Sequence, residues 1–186
     1  LVVALDAGPA TLAQVGGKGV SLARMARAGF PVPAGFLITT EAYRAFVETN
    51  TLQESIVALA KDATRPREDT STDIRALFER ASVPPDALHE IQRAYAALTQ
   101  ATGATSPLAV RSSATAEDLP GASFAGQHDS FLNVRGEQAL LDAVKRCLTR
   151  CTCRVSPTPA RCSVATTVCY STASALCARR RTIQPR

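Results

Sequence analysis

Cysteine and a strong net charge are missing from most of this chain. None of the six cysteines lies in the first 146 residues, so this part gives no sign of a disulfide framework and suits a reducing cytoplasm. The same residues carry 14 Lys and Arg against all 16 Asp and Glu. Although the whole chain has a net charge of +5, this mildly acidic body argues against nucleic acid as a partner.

Long apolar runs are missing as well. No stretch approaches the length of about 18 residues that a membrane span requires, so we expect no membrane partner. The N-terminus has no charged region followed by an apolar core, so we expect a cytoplasmic protein without a secretory signal. The first residue is Leu rather than Met, which we interpret as a start inside a longer reading frame.

Residues 147–186 lack Gly, Lys, Asp, Glu, Asn and Phe, and they contain all six cysteines and seven arginines. No helical or strand period continues there for more than a few residues, so we expect a disordered tail. Cys151 and Cys153 form a CxC pair, and the other cysteine gaps fit no CxxC pair, so we predict no metal site. Arg179–Arg181 is too short a basic run to predict nucleic-acid binding.

The first 146 residues, in contrast, alternate between strand-like and helical patterns. Such an alternation predicts an α/β or α+β fold. The strand-like segments are 1–5, 36–39, 108–111 and 131–134, and the apolar residues at helical spacing lie in 20–27, 42–47, 52–60, 74–81, 88–98 and 137–148.

A glycine-rich segment near the start carries one lysine. The segment reads Val15-Gly16-Gly17-Lys18-Gly19 and opens a helical pattern. An ammonium at a helix N-terminus between glycines is suited to hold nucleotide phosphates. The alternative is a glycine turn that begins a helix with an exposed lysine. The segment is not a Walker A motif, because GxxxxGK[ST] is absent.

A second segment, residues 109–127, combines one arginine with small residues. Its sequence AVRSSATAEDLPGASFAGQ lets backbone N–H groups approach an anion, and Arg111 stands ready to pair with that anion. This chemistry predicts recognition of a polyphosphate. A salt bridge from Arg111 to Glu117 or Asp118 is the alternative. Those two carboxylates are adjacent, point in opposite directions on an extended backbone, and so make a poor acid–base pair.

Together the two segments resemble the N-terminal nucleotide-binding domain of the pyruvate phosphate dikinase group. That group includes phosphoenolpyruvate synthases and rifampicin phosphotransferases. The resemblance includes Ala28–Phe36, AGFPVPAGF, and continues from Gln127 through HDSFLNV to Val134. It covers residues 10–148 and implies the first part of an ATP-grasp-type domain. We therefore divide the chain into residues 1–147, the N-terminal part of this domain, and 148–186, an aberrant tail.

The resemblance implies ATP as the ligand, with Mg²⁺ held by residues downstream of this chain. Where the family usually has Thr, this chain has Ser130, which keeps the hydroxyl. The family's phosphate-carrying histidine lies in a later domain, so neither His89 nor His128 matches it, and we assign no catalytic residue and no metal ligand. The residues implied to contact the nucleotide are Lys18, Arg111, Gly126, Ser130 and Phe131.

In such enzymes the β-phosphate of ATP passes through that histidine to pyruvate or to an antibiotic hydroxyl. We expect this fragment to bind ATP weakly without turnover, because the other domains are missing. The alternative is a non-catalytic remnant or regulatory module, which would bind ADP or AMP without magnesium. The family's continuation is lost at Cys147, which suggests a frameshift near that codon. Resequencing that confirms the present frame would refute the frameshift.

Overall fold

The computed structural model describes residues 1–62, 64, 66–102, 106–114, 130–154 and 164–170. Within them the chain alternates between short strands and longer helices. The strands are β1 (Val2–Ala4), β2 (Gly35–Ile38), β3 (Leu108–Ala114), β4 (Ser130–Val134) and β5 (Val164–Tyr170). The helices are α1 (Leu12–Arg27), α2 (Thr40–Thr49), α3 (Leu52–Lys61), α4 (Arg67–Arg80), α5 (Pro85–Thr102) and α6 (Glu137–Arg154).

These five strands form one sheet in the order β1-β2-β5-β3-β4. Every pair of neighbours is antiparallel. Strand β5 lies in the middle, where Val168 is opposite Phe36 of β2 on one side and Val110 of β3 on the other. An antiparallel sheet with separate helices is an α+β architecture, which confirms the fold class predicted from the sequence.

Strand β5 differs most from the sequence-based expectation, which gave no regular structure after residue 148. Helix α6 continues to Arg154, and residues 164–169 of β5 are all buried. The strand has no charged residue, and such composition is typical of a strand buried on both faces. Its seven residues are too few to indicate a strand clearly within a tail of such unusual composition. The β-branched residues that favour a strand here are Val164, Thr166, Thr167 and Val168.

The two faces of the sheet are covered by different helices. Val164 and Val168 belong to a large core built with α2 to α6. At the centre of that core, the rings of Phe46 and Phe78 stack with centroids 5.5 Å apart. On the other face, Ala165 joins a smaller cluster formed with β2 and α1. Among the described elements, α1 is therefore the helix that lies on the same face as the predicted site.

Helix α1 begins earlier than the glycine motif predicts. The backbone N–H of Thr11 donates a hydrogen bond to Gln14 Oε1 at 3.3 Å, as in a capping box. Because this cap starts the helix at Leu12, the glycines lie inside α1 rather than before it.

Candidate functional site

The glycine motif interrupts α1. Gly16 has φ 67° and ψ 175°, outside helical geometry, and φ in this range favours glycine. The helix resumes at Gly17 and ends at Arg27. Before the break, the carbonyl oxygen of Ala13 accepts a hydrogen bond from Thr40 Oγ1 at 2.8 Å. The segment from Gly17 therefore has a helix start of its own, with Lys18 in its first turn.

The break in α1 lies directly against β3. A Cβ added to Gly16 would overlap Ser113 Oγ and would approach the Ser113 carbonyl carbon and oxygen to 3.0 Å. Lys18 lies two residues after Gly16 in the chain, and Arg111 lies two residues before Ser113. The fold thus brings together the two segments that the sequence singled out, although about ninety residues separate them in the chain.

Arg111 and Ser130 are direct neighbours on adjacent strands. They are opposite each other in the β3–β4 pairing, and both are exposed. The Nε–H of Arg111 donates a hydrogen bond to Ser130 Oγ at 3.1 Å. Within the part of the chain that the structure describes, Arg111 has no carboxylate partner. Glu117 and Asp118, the alternative partners, lie outside the described residues.

Two further residues predicted to contact the nucleotide have different outcomes. Gly126 lies outside the described residues. Phe131 follows Ser130 on β4, and its side chain packs against the large core on the opposite face. The guanidinium of Arg146 on α6 lies 4.5 Å from the centre of the Phe131 ring, a cation–π contact. The structure therefore does not bring Phe131 together with Arg111.

Lys18 is half-buried near the start of the resumed helix. It follows Gly16 by two residues, so the break that places Gly16 against Ser113 also fixes where the lysine backbone lies. Lys18 takes part in an interaction of its own within the chain.

The positive charge of Arg111 acts on the neighbouring central strand. Burial raises the pKa of the Cys169 thiol, and the guanidinium of Arg111 opposes this by a smaller amount. Cys169 is opposite Ala109, two residues before Arg111, on the same face of the sheet. The thiol is free, and its raised pKa keeps it neutral. The charge at this face is therefore that of arginine and not of a thiolate.

Sequence reasoning missed two hydroxyl groups on this face. Ser113 and Thr167 are buried, and among the described residues their hydroxyl oxygens have no hydrogen-bond partner. Thr167 is opposite Arg111 in the β3–β5 pairing. Because residues i and i+2 of a strand lie on the same face, the position of Arg111 on β3 could have pointed to Ser113. Thr167 was missed because the tail was set aside.

The described residues contain no group of three or more His, Cys, Asp or Glu side chains placed to hold a metal ion. Within the same residues, no helix combines the length and apolar character that crossing a membrane requires.

Comparison with known proteins shows the family of the chain. Residues 12–153 match the model of the pyruvate phosphate dikinase AMP/ATP-binding domain. A probable phosphoenolpyruvate synthase of Methanothermobacter thermautotrophicus is 42% identical over 137 residues, which cover 71% of this chain and 20% of that protein. The phosphoenolpyruvate synthase of Aeropyrum pernix is 46% identical over 142 residues, covering 70% of this chain and 17% of that protein.

The phosphoenolpyruvate synthase of Pyrococcus furiosus is 39% identical over 171 residues, covering 72% of this chain and 21% of that protein. The chain thus spans about a fifth of the length of these curated relatives. Because the domain match extends over most of the chain and includes both motifs, the chain belongs to the pyruvate phosphate dikinase AMP/ATP-binding domain family.

Proposed function

We propose that this chain binds ATP through the face formed by the α1 break and β3, as the nucleotide-binding part of a phosphoenolpyruvate synthase-type phosphotransferase. The observation that carries the proposal is the contact of Gly16 with Ser113, which joins the glycine-rich lysine motif to the arginine strand. Membership of an AMP/ATP-binding domain family supports the ligand.

Each residue contributes a distinct interaction to this proposal. Lys18 and Arg111 neutralise phosphate charge, since both are cations and their two segments meet where Gly16 lies against Ser113. Ser130 orients Arg111 through the Oγ contact at 3.1 Å. Gly126 admits phosphate close to the backbone, as the family resemblance implies. Phe131 acts indirectly, because its packing against Arg146 holds β4 in register beside Arg111.

Magnesium is part of the proposed reaction but is not assigned to this chain. The described residues offer no cluster of three metal-ligating side chains. We place its ligands, and the phosphate-carrying histidine, in the downstream part of a longer enzyme. In that enzyme the β-phosphate of ATP passes through the histidine to an acceptor. The named relatives favour pyruvate over an antibiotic hydroxyl as that acceptor.

This chain by itself binds ATP weakly and does not turn it over. The test is an isothermal titration of the chain with ATP, with and without Mg²⁺, and an assay for AMP. We expect measurable binding that falls by about tenfold in Lys18→Ala, the loss of one ionic hydrogen bond. An exposed lysine on another helix, Lys61, gives the matched control Lys61→Ala with unchanged affinity.

Three results would contradict parts of the proposal. A chain that folds and binds no nucleotide refutes the ATP site. Formation of AMP refutes the absence of turnover. Tight binding that depends on Mg²⁺ shows that the metal ligands lie in this chain and not downstream.

A further inference from the structure

We infer that the hydroxyl of Ser113 donates a hydrogen bond to a phosphate group of the nucleotide, at the point where α1 resumes after Gly16. The inference rests on the proposed function, because it concerns the same face of the sheet. It adds a ligand contact that neither the glycine motif nor the arginine supplies.

The first observation is that the Ser113 hydroxyl is buried without a partner. The residue is 0% exposed, and within the part of the chain that the structure describes its Oγ has no hydrogen-bond partner. Buried hydroxyl groups are nearly always paired, since an unpaired one loses its hydration without compensation. Ser113 therefore destabilises the nucleotide-free chain. A ligand that accepts its hydrogen bond removes this cost, which makes the hydroxyl a contact for the bound state.

The second observation is the helix start that Ser113 contacts. The segment from Gly17 to Arg27 follows a break at Gly16, and Ser113 Oγ lies directly against Gly16. The first N–H groups of a helix lack partners within it, and the helix dipole favours a negative charge there. An anion at this start is therefore within the reach of a hydroxyl group that has no other acceptor.

The third observation concerns charge on the same face. Arg111 precedes Ser113 by two residues on β3, so the two side chains belong to one face of the sheet. Lys18 lies in the first turn of the resumed helix. A phosphate group that accepts a hydrogen bond from Ser113 therefore lies in a region where, among the described residues, Arg111 and Lys18 supply positive charge. Among ligands of this chain, the polyphosphate of ATP fits that chemistry.

Access to Ser113 requires a small opening. The side chain is covered by the break in α1, where Gly16 presents only its backbone. The residues before the break, from Thr11 to Gln14, are exposed. Moving this turn away from β3 also displaces the buried Val15 and the Ala13 carbonyl that accepts a hydrogen bond from Thr40, so the opening has a cost that ATP binding must offset. The glycine at position 16 permits the movement because it tolerates both backbone conformations.

A matched control for this inference lies on β5. Thr166 is 0% exposed, and its hydroxyl is also without a partner. It is opposite Ser112 and Ile38, so its side chain points into the large core and away from α1. Removing this hydroxyl group also removes the cost of an unpaired buried polar group, but it leaves the face of the sheet that α1 covers unchanged.

The experiment compares Ser113→Ala and Thr166→Val with the wild-type chain, by thermal unfolding without ligand and by titration with ATP. We expect both variants to keep or raise the unfolding midpoint, because each loses an unpaired buried hydroxyl. Only Ser113→Ala should bind ATP more weakly, by about tenfold. A residue with a merely structural role would lower stability and affinity together.

Each other outcome overturns the inference in a recognisable way. If Ser113→Ala binds ATP as tightly as wild type while Arg111→Ala does not, the inference fails and the proposed function stands. If Ser113→Ala lowers the unfolding midpoint, the hydroxyl has a partner in the free chain, and the inference fails. If the wild-type chain binds no ATP, the proposed function fails, and the inference fails with it.

Discussion

The guanidinium of Arg111 is positioned by a hydrogen bond to Ser130 on the neighbouring strand. The Nε–H group donates a hydrogen bond to Ser130 Oγ at 3.1 Å, and no other described residue is shown to bond the terminal nitrogen atoms of the guanidinium. A guanidinium fixed on one side and open on the other is suited to a bidentate contact with phosphate. Lysine has no such fork, so the geometry predicts that the two basic residues are not interchangeable here.

The first residue-scale prediction follows from this difference. Arg111→Lys should keep the charge but lose the Ser130 contact and the fork, and should weaken ATP binding by about tenfold. Arg111→Ala should weaken it by about 10- to 100-fold. Affinity is measured by titration, and Arg44→Ala, at an exposed arginine of α2, is the control. Equal affinities of the lysine variant and the wild type would show that only charge matters.

How far the sequence reveals the site depends on the kind of signal. Arg111 and the Lys18 motif were found because charge and glycine stand out in a local pattern, and Ser130 was found through the family resemblance, although their role in ATP binding stays a prediction. Ser113 was not found, because the sequence does not show whether the hydroxyl group of a serine on a strand has a hydrogen-bond partner. Pairing is a property of neighbours that are distant in the chain.

At the scale of elements, the packing of β2 against β5 depends on Gly35. A Cβ at this position would overlap the carbonyl oxygen of Val168 and approach Cys169 Cα to 2.9 Å. Both neighbours are backbone atoms of the central strand, which is paired on both sides. Neither atom can move without disturbing the sheet.

We therefore expect Gly35→Ala to lower the free energy of unfolding by about 2–3 kcal/mol, as overpacking against rigid neighbours does. Chemical denaturation followed by circular dichroism measures the change. Ala34→Ser, at the exposed neighbouring residue, is the control and should be close to neutral. If Gly35→Ala matched the control in stability, the close approach of β2 to β5 would be wrong.

The helices and the outer strands could be predicted because their signals are local. Phe46 and Phe78 each occur in a helical pattern of apolar residues, and both lie in the core. Strand β5 could not, because its seven residues carry a short apolar pattern within an unusual composition. What makes it a strand is the pairing with β2 and β3, and that pairing is set by the tertiary fold.

At the scale of the whole molecule, removing β5 should abolish the fold. A chain that ends at Arg154 keeps α6 but loses both pairings of the central strand. We expect no cooperative thermal transition for it by calorimetry, since the cores on both faces lose β5.

A chain that ends at Tyr170 is the matched control. It retains every strand pairing described above and should unfold cooperatively near the wild-type midpoint. If the shorter chain also unfolded cooperatively at that temperature, β5 would be dispensable, and residues 1–154 would form a domain by themselves.

The strand order also sets when the molecule can fold. Because β5 separates β2 from β3, the two halves of the sheet have no backbone pairing with each other until the segment 164–170 has been synthesised. A chain that grows at about 5–20 residues per second therefore exposes unpaired strand edges for several seconds after β3 is made. Pairings between segments so distant in sequence are slow to form, which makes this the interval in which the nascent chain is most open to aggregation.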